Sequence, residues 1–288
     1  MSTPDETAVT FSNPAQGRIR RGLRPSARPT LASDEFQHDE ALPRLFFWAM
    51  LFWGSLCAAA AALLALQLAV PPRVSLPELS FGRLSRVQDH LALLGLAANA
   101  LFCGVYYATP RLCRTRILSP LLGRAHFWTW QAIVLAGAAT LPLGLTSGSQ
   151  ASALIWPIRL AITVVWIGLL GANFFGTLAR RRERRLYPSV WFFTACIVAV
   201  AILNVLGSLW LPAGLVEWFR TGAMPTPEVL LATYPLHAGL QDAFLQLCQG
   251  QGQSAFLLGA GFMGLMYYIL PKAANRPVFS ANLTIVHF

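Results

Sequence analysis

Several uninterrupted apolar stretches of about 20 residues constrain this chain more than any other feature, because each, as a helix, reaches across a hydrocarbon core roughly 30 Å thick. Backbone N–H and C=O groups inside lipid need internal partners, which leaves only helices or a closed barrel. The stretches lack the period-two alternation of barrel strands. The fold class that follows is all-α, a polytopic membrane helical bundle of six transmembrane helices plus the start of a seventh. Composition agrees: the chain is 55% hydrophobic and 12% charged, where soluble domains carry roughly 25% charged residues.

Residues 1–43 are rich in Pro, Ser, Thr and Arg and have no hydrophobic periodicity. Such a segment cannot bury enough apolar surface to offset its ordering entropy, so it is expected to be a disordered basic tail. Its cluster of Arg18, Arg20, Arg21, Arg24 and Arg28 suits a solvated tail or contact with anionic membrane lipid. The run after it is too long for a signal-peptide core. The predicted spans are Leu45 to Val70, Gln88 to Thr109, His126 to Leu145, Trp156 to Ala179, Val190 to Leu211 and Gln241 to Leu270. Pro71-Pro72, Pro110 and Pro271 read as stops for the first, second and sixth, and a seventh helix begins near Asn282.

The net charge of +10 reflects topology rather than nucleic-acid binding, because the cations gather in alternate connections. Seventeen of the 22 Lys and Arg residues fall in the tail, after the second and fourth spans and after the sixth, against five on the other side. The positive-inside rule then places the N-terminus in the cytoplasm.

The five cysteines are scattered without CxxC or CxxCH spacing, which argues against zinc and covalent haem, and buried hydrophobe is the expected role for most. No two of His38, His90, His126, His237 and His287 have helical metal-site spacing. Nucleophile-elbow, phosphate-loop and H-E-x-x-H motifs are absent.

Two polar faces stand out. Gln88, Ala92, Gly95 and Asn99 share one face of the second span, suited to a neighbouring helix or a flat group such as a haem edge, with the helix favoured. Asp242, Gln246, Gln249 and Gln253 form a stripe on the sixth, with Gln251 opposite beside Leu247, Ala255 and Leu258. Gly168, Ala172 and Gly176 read as a small-residue packing seam.

The C-terminal stretch carries a specific resemblance, through Gln241-Asp242-Ala243, Gly261-Phe262, Met266-Tyr267-Tyr268, Pro271-Lys272, Arg276-Pro277-Val278 and Ile285-Val286-His287-Phe288. It resembles subunit I of cbb3-type cytochrome c oxidases, in the haem-copper oxidase family. Further anchors extend the likeness from about Leu45 to Phe288: Phe81-Gly82-Arg83-Leu84, Asn99-Ala100-Leu101-Phe102, Tyr106-Tyr107, Phe127-Trp128, Leu141-Pro142-Leu143-Gly144, Trp156-Pro157-Ile158 and Trp191-Phe192-Phe193.

The resemblance implies the N-terminal half of a twelve-helix catalytic subunit of aerobic respiration, in the bacterial inner membrane, that uses haem b and copper and works with c-type cytochrome subunits. Six family histidines hold the metals. The helix-two haem ligand falls on Gln88 and the helix-six copper ligand on Gln251, while the other four would lie beyond Phe288. Family acidic positions fall on Gln150, Ala153 and Ile155, and a histidine position on Asn204.

Three expectations follow. The first is a shortened homologue with degenerate ligand positions, holding no haem or metal and non-catalytic by itself. The others are a membrane interaction or assembly subunit, and a fragment of an active oxidase. Whether the chain acts as an enzyme stays open at the level of sequence.

Overall fold

A computed structural model of the chain describes residues 40–70, 77–146, 154–183, 185–237 and 239–276. Of the expected basic tail, residues 1–39 lie outside the described residues, as does the seventh helix expected near Asn282, whereas residues 41–43 are not disordered but open the first helix. Within them the chain forms helix α1, Ala41–Ala69; α2, Phe81–Cys113; α3, Pro120–Thr140; α4, Trp156–Ala179; and α5, Pro188–Gly207. A small connection follows, with β1 (Trp210–Pro212), α6 (Ala213–Thr221), α7 (Pro227–Leu231) and β2 (Thr233–Pro235). The last described helix is α8, Leu240–Ala274. The result is an all-α membrane bundle whose only strands, among the described residues, are the antiparallel pair β1 and β2, registered Trp210 on Pro235.

Five of these helices, α1, α2, α4, α5 and α8, are long and apolar enough to cross a membrane. The remaining predicted span is α3. Its 21 residues reach about 30 Å at 1.5 Å per residue, but Arg124, His126, Thr129 and Gln131 lower its hydropathy. Its two ends lie against opposite ends of other helices. The Ser119 backbone pairs with the Asn173 amide near the end of α4, at 3.2 Å in both directions, and the Pro142 carbonyl accepts from Arg83 at the start of α2.

Several helix ends differ from the sequence expectation. α2 begins at Phe81, not Gln88, because its first turns are helical but polar and so invisible to hydropathy. Pro110 and Pro271 do not stop their helices; each sits three residues before the end. Both ends close with the same C-terminal motif, in which the residue at positive φ, Arg114 at 48° and Asn275 at 50°, lies four positions after the proline. The Thr115 N–H bonds the Pro110 carbonyl at 3.1 Å, and the Arg276 N–H bonds the Pro271 carbonyl at 3.2 Å. This satisfies carbonyls that a helix end would otherwise leave open. Pro271 also lacks the N–H that would bond the Tyr267 carbonyl, and the Tyr187 hydroxyl donates there instead at 3.0 Å. The connection after α5 holds the short strands and helices named above.

The core lies between α1, α2, α3, α4 and α5 and is dominated by aromatic rings: Phe46, Phe102, His126, Trp130 and Trp166 are all essentially inaccessible. α8 joins through small residues, since Gly261 lies against Leu101 of α2 and Gly264 against Phe193 of α5. The expected seam on α4 is different. Gly176 packs against Leu118, whereas Gly168 and Ala172 are exposed, with nothing within 4 Å of a Cβ built at Gly168.

Candidate functional site in the helix bundle

A stretch of π-helix, Leu91–Ala97, interrupts α2. There the Ala98 N–H bonds the Leu93 carbonyl, so the Leu94 carbonyl loses its ordinary α-helical donor. Side chains replace it: Trp130 Nε1 donates at 3.1 Å and Asn99 Nδ2 at 3.3 Å. Asn99 also donates to the Gly95 carbonyl at 2.6 Å and accepts from Gln131 Nε2 at 2.8 Å, and Gln131 accepts from Trp53 Nε1 at 2.7 Å. These bonds tie α1, α2 and α3 together. Gly95 permits the approach, since a Cβ there would lie 2.8 Å from the Trp53 Cβ. The Gly95–Asn99 part of the small polar face therefore receives a neighbouring helix, α1.

Gln88, the position matching the haem ligand, is half-buried one helical turn before Ala92, and its backbone carbonyl accepts from the Cys57 thiol of α1 at 3.8 Å. Gln251, the position matching the copper ligand, is exposed together with Leu247 and Ala255 on the outer face of α8. The histidines in the helices are engaged elsewhere. His90 Nε2 lies 3.0 Å from the Val134 carbonyl, with Gly137 making room for its ring. His126 Nδ1 lies 3.1 Å from the Tyr106 hydroxyl, within the aromatic core. Among the described residues no group of three or more His, Cys, Asp and Glu side chains is gathered as a metal site.

The polar stripe of α8 does face inward. Gln249 is buried and its Oε1 accepts from Arg159 Nη2 at 2.9 Å, while Gln253 Nε2 donates to Asn204 Oδ1 of α5. Arg159, one of the five cations on the sparser side of the charge count, sits one turn inside α4, is 3% exposed, and also donates to the Gly207 carbonyl. A cation at the C-terminus of α5 complements the partial negative charge of that helix end. Its signal in the sequence was an arginine three residues after Trp156, at the start of an apolar run that otherwise carries no charge. Arg159, Asn204, Gln249 and Gln253 line a cavity of about 420 Å³ between α2, α3, α4, α5 and α8, whose remaining wall is mostly apolar. Neither Gln88 nor Gln251 contributes to that wall.

At the opposite end of the bundle, Arg111 of α2 pairs with Glu40 ahead of α1 at 2.9 Å, and Lys272 of α8 donates to the Tyr107 hydroxyl at 2.7 Å. Hydrogen bonding from Arg44, then the charge of Arg111, holds the Glu40 carboxyl below its ordinary range.

Residues 42–288 match the family described as cytochrome c and quinol oxidase polypeptide I. The cbb3-type cytochrome c oxidase subunit CcoN1 of Stutzerimonas stutzeri is 39% identical over 237 residues, covering 82% of this chain and 47% of that protein. Cytochrome c oxidase subunit 1 of Rhodobacter capsulatus is 33% identical over 270 residues, covering 92% of this chain and 48% of that protein. A subunit 1 homologue of Agrobacterium tumefaciens is 32% identical over 266 residues, covering 92% and 46%. The chain thus spans about half the length of the curated relatives it matches. On a match that takes in nearly all of its described helices, the chain belongs to the cytochrome c and quinol oxidase polypeptide I family, as a multi-pass membrane protein of cbb3-type likeness.

Proposed function

We propose that this chain is a structural homologue of the cbb3-type oxidase subunit that holds neither low-spin haem nor copper by itself and does not reduce oxygen, and that it serves within a respiratory membrane assembly. The observation that carries the reading is glutamine at both positions where the family likeness puts imidazole, Gln88 and Gln251. An amide oxygen is a hard, weak donor, poorly matched to haem iron or to copper where imidazole suits both. The positions do not fit the groups, and no catalytic step is assigned through them. His90 does not substitute for Gln88, since two residues along a helix turn a side chain through about 200°.

The same reading has six crossings in a bacterial inner membrane with the N-terminus in the cytoplasm. The placement of α3 between both ends of its neighbours supports the sixth crossing, and the seventeen-to-five distribution of Lys and Arg supports the orientation. Lipid and c-type cytochrome subunits are the proposed partners. A second reading, a membrane interaction or assembly subunit, draws on the exposed Gly168 and Ala172 of α4, small residues that let a foreign helix approach closely.

The experiment is oxygen uptake by the purified 288-residue chain, supplied with reduced cytochrome c in mild detergent. Uptake no faster than the detergent blank is expected. Cyanide-sensitive uptake in proportion to the protein added would contradict the proposal.

A further inference from the structure

The cavity between α2, α3, α4, α5 and α8 is divided in character. Arg159, Asn204, Gln249 and Gln253 gather in one part of its lining, and Trp130, Trp166, Leu257, Ile162 and Val200 supply apolar surface. Protein interiors close-pack with few voids larger than a water molecule. A space of about 420 Å³ falls instead in the range of small-molecule sites, which combine a largely apolar wall with a few placed polar groups.

Arg159 supplies the directional chemistry. Its Nη2 is used twice, on the Gly207 carbonyl and on Gln249, while Nε and Nη1 are enclosed and have no hydrogen-bond partner among the described residues. Asp242 acts on it through space rather than through a hydrogen bond. Asp242 opposes its charge but leaves these N–H groups unbonded, which is costly in a buried guanidinium, and an anion that takes them up relieves this. The charged residues in the cavity wall are Arg86, Arg159 and Asp89, with Asp242 acting on Arg159 from beyond the wall. A neutral amphiphile would satisfy the apolar wall but bond those N–H groups more weakly than an anionic head does.

We propose that the cavity is a binding site for an acidic amphiphile, with a carboxylate or phosphate head against Arg159 and hydrocarbon along Trp130, Trp166 and Leu257. The head would displace nothing that holds the helices together, because the bonds of Arg159 to Gly207 and Gln249 use a different nitrogen. Two sources share this chemistry, a free fatty acid and an anionic phospholipid. The inference rests on the cavity and not on the ligand positions Gln88 and Gln251, so it stands or falls separately from the haem reading.

Trp130 and Trp166 provide the readout, since bromine on a bound chain quenches indole fluorescence at contact distance. The delipidated 288-residue chain in neutral detergent is titrated with dibromostearate, with brominated phosphatidylglycerol, and with two controls, brominated phosphatidylcholine and the methyl ester of dibromostearate. Saturable quenching by one or both acidic probes and not by the controls is expected, and the acidic probe that acts identifies the source. Arg159→Gln should weaken that binding by about tenfold or more, the worth of a charge-assisted hydrogen bond. Because Arg159→Gln also loosens the end of α5, Ala97→Leu is the second variant. It narrows the apolar part without touching the polar groups, and it too should weaken binding while the far-ultraviolet spectrum stays unchanged. Equal quenching by the neutral controls, no saturable quenching at all, or undiminished binding in a folded Ala97→Leu protein would each overturn the proposal.

Discussion

Gly104 of α2 faces Leu265 of α8, and replacing it by alanine tests how closely those two helices must approach. A Cβ built at Gly104 would overlap Leu265 Cδ2 and lie 3.0 Å from both Cδ1 and Cγ, so rotating one methyl group does not clear it. Leu265 is 7% exposed and has little free space into which to withdraw. Overpacking of this kind typically costs about 1–3 kcal/mol, which is roughly a five- to 150-fold change in an unfolding equilibrium constant. Leu265→Ala alone removes buried contacts and should cost about 2–5 kcal/mol by the usual large-to-small range. In the double variant the new methyl group occupies part of the space the leucine leaves, so the two losses should fall short of additivity by about 1–3 kcal/mol. Unfolding in graded sodium dodecyl sulfate, followed by tryptophan fluorescence, measures all three proteins. If Gly104→Ala is neutral, or if the double variant shows only the sum of the single losses, α2 and α8 do not pack as described.

Reporter fusions give the topology: a fusion after Arg185 should report cytoplasm and one after Arg220 periplasm, and the reverse pattern would refute the proposed orientation. Glu40 gives a pH signature. Hydrogen bonding by Arg44 and the charge of Arg111 lower its folded-state pKa, so its contribution is present above the unfolded value of about 4.3 and is lost as pH falls through the folded value. The difference in thermal stability between the chain and Glu40→Gln should therefore be steady near neutral pH and shrink below about pH 4. A difference that grows on acidification would show that the carboxylate is not the stabilising form.

Span positions were legible because long apolar runs have one solution in lipid, and Trp156–Ala179 agrees with the expected fourth span at both ends. Helix ends were less legible. Hydropathy does not register the polar opening of α2 at Phe81–His90, and a proline in the last turn is harmless where another donor serves the freed carbonyl, as Tyr187 does for Tyr267. The stripe Gln249 and Gln253 was visible as helical spacing, but its partners Arg159 and Asn204 lie 90 and 49 residues away. No local pattern announces such a pairing. Arg159 counts among the five cations of the sparser side, and sequence alone does not distinguish an arginine at a helix mouth from one folded in beneath a neighbouring helix end. The seam on α4 failed for the same reason: spacing fixes a face but not what covers it.

The most direct test of the central claim is the reduced-minus-oxidised absorption spectrum of the 288-residue chain purified from haem-replete cells, with haem quantified against protein. The account predicts no stoichiometric b-type signal, because Gln88 offers an amide where iron needs imidazole and His90 is turned toward the Val134 carbonyl. A stoichiometric b-type signal that disappears in His90→Ala would contradict it, showing that α2 presents its histidine to a haem and that the site is alive.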